Sequence, residues 1–292
     1  MTVPEFRDQV LAWYAVNRRS FPWRETRDPW AVLVSEGMLQ QTQTIRVVPK
    51  YEVFLAAFPD PAALAAAPAA DLLRLWSGLG YNRRALALKA AATEIVSRFG
   101  GVLPDDEDHL LSLPGVGPYT ARAVLAFAFD RPVVLIETNI RAVFIHEFFP
   151  GREGVRDGEL EPLVREALDR RDPRNWYYAL MDYGVMLKAS LPNPGRRSAH
   201  HARQSPFADR HRRVRGAILK ALGPEAEGLQ ASELAAAIPF ARERVEKALG
   251  ELLSEGFVAE RGGTYLLSDS KEIRPARAER RSTSRNARSH PE

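Results

Sequence analysis

The sequence predicts a mainly α protein: a compact helical domain followed by a small winged-helix-like α+β unit. Three observations carry this expectation. Nearly every segment between residues 3 and 188 repeats apolar residues at i, i+3 and i+4. Proline or glycine punctuates the junctions, at Pro59, Pro68, Gly78, Gly80, Gly100-Gly101, Pro104 and Pro114. Past residue 210, three helical stretches precede two short β-type runs around Gly262-Gly263, a two-residue hairpin signal.

In chain order, the apolar spacing predicts helices over 3–16, 30–39, 44–57, 62–67, 69–75, 83–99, 107–111, 119–129, 140–148, 158–168 and 175–188. Many short helices with short connections imply a packed all-α domain over 1–190. Residues 191–209, rich in Pro, Ser and Arg, lose the periodicity and read as a basic linker that wraps back over that domain. Helices follow over 212–222, 231–237 (with Ser232 near its start) and 241–255, the last carrying Val245, Leu249, Leu252 and Leu253 on one face. The runs 257–261 and 264–267 form the hairpin, so 210–268 has the element order of a winged helix. Residues 269–292 are rich in Arg, Ser and Glu and read as a disordered basic tail.

Composition narrows the function classes. The chain has 292 residues, 45% of them hydrophobic and 27% charged, which is ordinary globular composition. No apolar run approaches bilayer length, and the first ten residues lack a signal-peptide core, so a cytoplasmic protein without membrane contact is expected. There are no cysteines, which excludes disulfides, thiolate catalysis, iron–sulfur clusters and cysteine-ligated zinc. The six histidines show no HExxH or comparable spacing, so no protein-ligated metal is expected. The formal charge of +4 is clustered rather than spread. Residues 271–292 alone carry a net +4, and 195–216 hold seven Arg against one Asp. Clustered basic charge fits an anionic polymer on one face.

The most informative stretch is 113–139, LPGVGPYTARAVLAFAFDRPVVLIETN. Leu113-Pro114-Gly115-Val116-Gly117 reads as a tight hairpin in which Gly115 and Gly117 allow positive φ and close approach to bare backbone. A helix then starts near Tyr119 with its free N–H groups and positive dipole end pointing outward, a corner suited to a phosphate. About twenty residues on, the carboxylate of Glu137 stands at the next chain reversal. A carboxylate near a phosphate-gripping hairpin points to chemistry on a nucleic acid.

This segment resembles the helix-hairpin-helix DNA glycosylases, the superfamily that holds endonuclease III and the MutY-type adenine glycosylases. The likeness covers about residues 5–190. Phe21-Pro22-Trp23-Arg24, Ser35-Glu36-Gly37-Met38-Leu39-Gln40-Gln41-Thr42-Gln43, Leu75-Trp76-Ser77-Gly78-Leu79-Gly80-Tyr81 and Met181-Asp182-Tyr183-Gly184 stand in the MutY-type order. The resemblance implies a two-lobed core whose partner is double-stranded DNA holding a mispair or a damaged base. A base inside a duplex must be extruded before it can be attacked. By resemblance, the hairpin residues Leu113, Gly115, Val116 and Gly117 offer backbone N–H groups to a phosphate beside the extruded nucleotide. In that family a monovalent cation often bridges the hairpin carbonyls to that phosphate. Gln40, Gln41 and Thr42 would enter the base stack and address the widowed base, and Tyr81 and Thr120 are expected among the DNA-binding residues. Glu36 would protonate the leaving purine, directly or through water. Glu137 would stabilise the sugar cation or attack its C1′, with Tyr119 and Asn139 positioning the groups.

The chain departs from the family in four places. The second carboxylate is Glu137, where Asp is usual; its extra methylene moves the charge by roughly an ångström, and a misplacement of that size can cost on the order of a hundredfold in rate. Lys188 stands where the first cluster cysteine would be, so this is a clusterless member, and the basic segment with Arg196, Arg197 and Arg203 is expected to contact DNA in the cluster loop's place. The region 210–268 is too short for the Nudix-like domain that reads 8-oxoguanine. Pro118-Tyr119-Thr120 offers no amine where endonuclease III-type enzymes carry a nucleophilic lysine. The expectation is a monofunctional, monomeric, nucleoid-associated glycosylase removing adenine opposite guanine or 8-oxoguanine. The alternatives are a thymine, uracil or other damaged-base glycosylase, and a catalytically weak damage-binding protein.

Overall fold

The computed structural model describes residues 1–201, 211–225 and 227–269. Eleven α-helices lie between residues 3 and 190: α1 Val3–Asn17, α2 Pro29–Leu39, α3 Thr44–Ala57, α4 Pro61–Ala66, α5 Ala69–Trp76, α6 Arg83–Phe99, α7 Glu107–Leu111, α8 Pro118–Phe129, α9 Thr138–Phe148, α10 Asp157–Ala167 and α11 Pro173–Ser190. Their starts are written in local chemistry. Thr2 and Glu5 form a capping box on α1, and Asp28 caps α2 through the Trp30 and Ala31 amides with Pro29 at the first helical position.

The helices sort into two lobes. Helices α2–α8 pack on one another, and α1, α9, α10 and α11 form the second set, joined to the first where α11 meets α8. The lobes are also tied by a buried ion pair between two of the sequence motifs. Arg24, in the 3-10 turn Pro22–Arg24, gives two hydrogen bonds of 2.8 Å to Asp182 on α11, and Arg19 adds its backbone N–H and its guanidinium. The Arg24 guanidinium is sandwiched by the Phe21 and Tyr178 rings, with its carbon 5.1 and 4.5 Å from their centroids. A bidentate, stacked arginine holds a geometry that lysine cannot, and here it fixes where α11 lies relative to the first lobe.

After α11 the chain does not run free. A 3-10 turn, Pro194–Arg197, packs on α9, and Val155 pairs with Ser198 through Val155 N–H to Arg197 O and Ala199 N–H to Val155 O. The C-terminal unit comprises α12 His211–Leu222, β1 Leu229–Gln230, α13 Ala231–Ala237, α14 Arg242–Ser254, β2 Val258–Arg261 and β3 Thr264–Leu267. Its antiparallel sheet has the order β1-β3-β2. Gly262 (φ +58°) and Gly263 (φ +81°) form the two-residue loop between the paired Arg261 and Thr264, the left-handed backbone that glycine supplies without strain. The two-residue strand β1 carries too little pattern to be read from sequence. This unit leans on the first lobe: Arg74 donates to Gly223 O, Arg83 pairs with Glu255, and Arg212 lies over the Tyr81 ring. Among the described residues no helix is long and apolar enough to cross a membrane.

Candidate active site

A cavity of about 460 Å³ opens between the lobes, and Glu36, Tyr119, Glu137 and Asn139 all line it. These four come from three helix segments far apart in sequence. Tyr178 and Met181 on α11, Trp23 and Arg24 from the 3-10 turn with Phe21 just before it, and Leu39 with Gln41 through Thr44 also line it. Aromatic side chains beside two carboxyl groups suit a planar heterocycle joined to a sugar.

Glu36 lies in the middle of α2, only 6% exposed, among buried Val32, Leu33, Val34 and Met38. Burial pushes its carboxyl up to about 7; the Tyr119 hydrogen bond pulls in the opposite direction and the neighbouring Glu137 charge adds to the rise. Tyr119, second residue of α8, is itself pushed well above the ordinary tyrosine range by burial, with Glu36 and Glu137 adding to it. It therefore stays protonated and serves Glu36 as a donor.

Glu137 is held in a different manner. It is the N-cap of α9 and accepts from Asn139 N (2.6 Å), Ile140 N (2.9 Å), Thr138 Oγ1 (2.8 Å) and Asn139 Nδ2 (3.2 Å). The extra methylene of Glu over the usual Asp lets one oxygen bridge the two helix amides while the other takes the two side-chain donors. Asn139 is oriented from behind by Lys188, whose Nζ donates to Asn139 Oδ1 at 2.9 Å. Gly184 lies against Asn139, and any Cβ there would come within 2.8 Å of the Asn139 backbone oxygen and Cβ.

The hairpin Leu113–Gly117 connects α7 to α8. Gly115 has φ +76°, and a Cβ on it would stand 2.6 Å from the Ala87 Cβ, so both backbone and packing require glycine. Gly117 differs from expectation: its φ of −96° is open to any residue, and its role is the bare, unobstructed N-terminus of α8. Leu113 and Val116 are buried and anchor the hairpin, which leaves its backbone as the part able to touch a ligand. Thr120 is also buried, with its hydroxyl taken by the Gln40 amide at 3.2 Å. That bond ties the segment after α2 to the hairpin helix and turns both groups inward.

Gln41 and Tyr81 are exposed and sit at left-handed φ of +55° and +50°. Non-glycine residues there are strained, and such strain clusters at functional sites. Arg84 holds both in place. It donates to the carbonyls of Gly37, Met38, Gln40 and Gly80 and to Thr42 Oγ1, and its guanidinium lies over the Tyr81 ring. Sequence reading missed Arg84, because an arginine at an exposed helix start carries no signal of its own.

Beside the cavity, sharing Gln41 and Thr138 with it, lies a basin of about 920 Å³ walled by Arg141, Lys188, Arg196, His200 and His201. Arg196 is exposed there. Arg197 is not: it caps the end of α9 by donating to Phe149 O (2.6 Å) and Ile145 O (3.3 Å). Arg203 and the Gln204–Phe207 stretch lie outside the described residues. An iron–sulfur cluster does not fit this chain. Lys188 at the first cysteine's place is a hydrogen-bond donor to Asn139, and among the described residues no group of three His, Asp or Glu could hold a metal.

Two packed helical lobes, a glycine-bearing hairpin at a helix N-terminus and a cleft with two carboxyl groups define a helix-hairpin-helix protein. The family model for the HhH-GPD superfamily of base excision DNA repair proteins matches residues 34–190, and the chain belongs to that superfamily. The adenine DNA glycosylase of Mycolicibacterium smegmatis is 34% identical over 289 residues, 92% of this chain and 98% of that protein. The adenine DNA glycosylase of Mycobacterium tuberculosis is 48% identical over 135 residues; that match covers 46% of this chain and 44% of the relative, so it spans less than half of either. Among solved structures, a thermostable thymine-DNA glycosylase superposes with a TM-score of 0.58 at 26% identity, covering 64% of this chain and 88% of that one.

Proposed function

We propose that this protein is a monofunctional DNA glycosylase that hydrolyses the N-glycosidic bond of an extruded adenine paired with guanine or 8-oxoguanine. The observation that carries the reading is Glu36: a buried carboxyl held at about 7 in the cavity that also contains Glu137. A group poised there can give a proton to a leaving purine near neutral pH. Glu137, fixed by four donors, faces the developing sugar cation, and Tyr119 keeps Glu36 aimed. This division of labour between two carboxyl groups is the one that an oxocarbenium-like transition state uses.

Pro118-Tyr119-Thr120 offers no amine at the start of α8, and among the described residues no lysine lines the Glu36 cavity; both support base release without strand cleavage. The exposed Gln41 and Tyr81 are the side chains proposed to enter the duplex. The hairpin backbone and Arg196 are the proposed phosphate contacts, and Arg203 is proposed with them from sequence. Thr42, which Arg84 binds, and Thr120 and Gln40, which bind one another, serve this reading by shaping the two loops. The protein would act as a monomer on nucleoid DNA, with the winged-helix-like unit of 210–268 beside Tyr81 as a further grip.

The likeness to a thymine-DNA glycosylase supports a second reading, removal of thymine or uracil opposite guanine. One experiment separates them: purified protein is incubated with duplexes holding A·G, A·8-oxoguanine, T·G and U·G pairs, and abasic products are cleaved with alkali. Adenine release without cleavage before alkali, and without borohydride-trapped adduct, is the expected result. Pyrimidine release alone overturns the adenine reading. Inertness on every duplex with retained binding leaves a damage-binding protein.

A further inference from the structure

We infer that Lys188 is a positioning residue for the second carboxylate, acting through Asn139; this rests on the glycosylase reading above. The geometry forms a chain. Lys188 Nζ donates to Asn139 Oδ1 at 2.9 Å, and Asn139 Nδ2 donates to Glu137 Oε2 at 3.2 Å. An asparagine amide can turn either end toward a carboxylate, and only the nitrogen end attracts it. An ammonium has three donors and no acceptor, so it accepts no amide nitrogen and binds only the oxygen end. Lys188 therefore selects the Asn139 orientation that donates to Glu137.

The surroundings reinforce the selection. Gly184, one turn before Lys188 on α11, lets the Asn139 backbone approach that helix closely, so the lysine and its target are brought to hydrogen-bond range by backbone packing. Lys188 is largely withdrawn from solvent, and the neighbouring Arg141 is not a rival for Asn139. Arg141 is held by two hydrogen bonds to Asp157, at 2.6 and 2.7 Å. The ammonium also favours Glu137 by charge, an attraction that opposes the cost of burying the lysine. Lys188 thus sets a cation behind Asn139, on the side away from Glu137.

The test is single-turnover base release, with DNA affinity and thermal stability measured on the same proteins. K188M removes the donor and keeps the length of the side chain. Its rate is expected to fall at least about tenfold, short of the ~10²-fold cost of misplacing a reacting group by a full ångström. DNA affinity is expected to stay within about twofold, and K188R should recover most of the loss. Because Lys188 acts through Asn139, the double variant K188M/N139A should be no slower than N139A alone. A K188M rate within about twofold of wild type, a loss that tracks melting temperature or DNA affinity, or additive effects in the double variant would each overturn the proposal. If K188M does not fold, the comparison of K188Q with K188R carries the same decision through the rate. Wild-type protein inert on all four duplexes fails the glycosylase reading instead.

Discussion

Glu36 and Glu137 share one residue type and one cavity, and the fold treats them in opposite ways. Glu36 sits within a helix, buried in the wall of an aromatic-lined cavity, with the Tyr119 hydroxyl as its hydrogen-bond donor. Glu137 sits at the mouth of a helix and accepts from four donors. A carboxyl deprived of water holds its proton to about neutral pH, whereas Glu137 is fixed in place by its donors at the N-terminus of α9. On the proposed reading this difference in setting, rather than residue identity, separates the role of Glu36 from that of Glu137.

The largest expected effect comes from erasing the acid. Glu36→Gln keeps the shape and removes the proton, so single-turnover base release should fall on the order of 10²- to 10⁴-fold with DNA binding retained. A loss under tenfold would break the comparison by moving the acid elsewhere. Glu137→Asp is next. Asp can still cap α9 through the amides of Asn139 and Ile140, so melting temperature should hold, but the carboxylate retreats by roughly an ångström and the rate should drop by about 10². An equal or faster Asp variant would show that the pocket is not fitted to the longer side chain.

The same contrast reads out in stability. Folded Glu36, at about 7, lies above the ordinary 4.5, so the stability its neutral form contributes is complete below about 4.5 and is lost as pH rises through about 7. Gln does not titrate. Relative to wild type, E36Q should gain stability across that window and lead by about 3 kcal/mol above pH 7, measured by urea unfolding at pH 5 and pH 8. An inactive variant that is more stable at pH 8 but not at pH 5 would mark Glu36 as a strained functional group. A pH-independent difference would remove the claim that burial sets its proton affinity.

How much of this was legible depends on the range of the interactions. Helices announce themselves locally, so those from α1 to α14 lie within a few residues of where apolar spacing puts them; β1, at two residues, has no period to read. Glu36, Tyr119, Glu137 and Asn139 were legible through motif order, and the fold sets them around one cavity. What sequence could not show is the direction in which side chains point. Arg197 reads as one more basic residue of a loop, yet its guanidinium caps α9. Thr120 and Gln40 read as groups for a ligand, yet they bind each other. Arg84 and Lys188 are single cations whose work, orienting carbonyls or an amide from other segments, exists only once those segments meet.

The smallest effect is the sharpest on mechanism. Tyr119 donates to Glu36 and thereby favours its charged form, opposing the larger push of burial. Tyr119→Phe removes that donor without opening the cavity. The Glu36 carboxyl should then hold its proton to higher pH, and the alkaline limb of the pH–rate profile, where activity falls as Glu36 loses its proton, should move upward. Stability should fall by about 1 kcal/mol, the usual cost of one buried hydrogen bond. The rate at the optimum should change by only a few fold, because the proton donor and the anion both remain. A limb that stays in place would mean that it reports a group other than Glu36, and a limb that moves downward would mean that Tyr119 accepts from the neutral carboxyl rather than donating to the charged one.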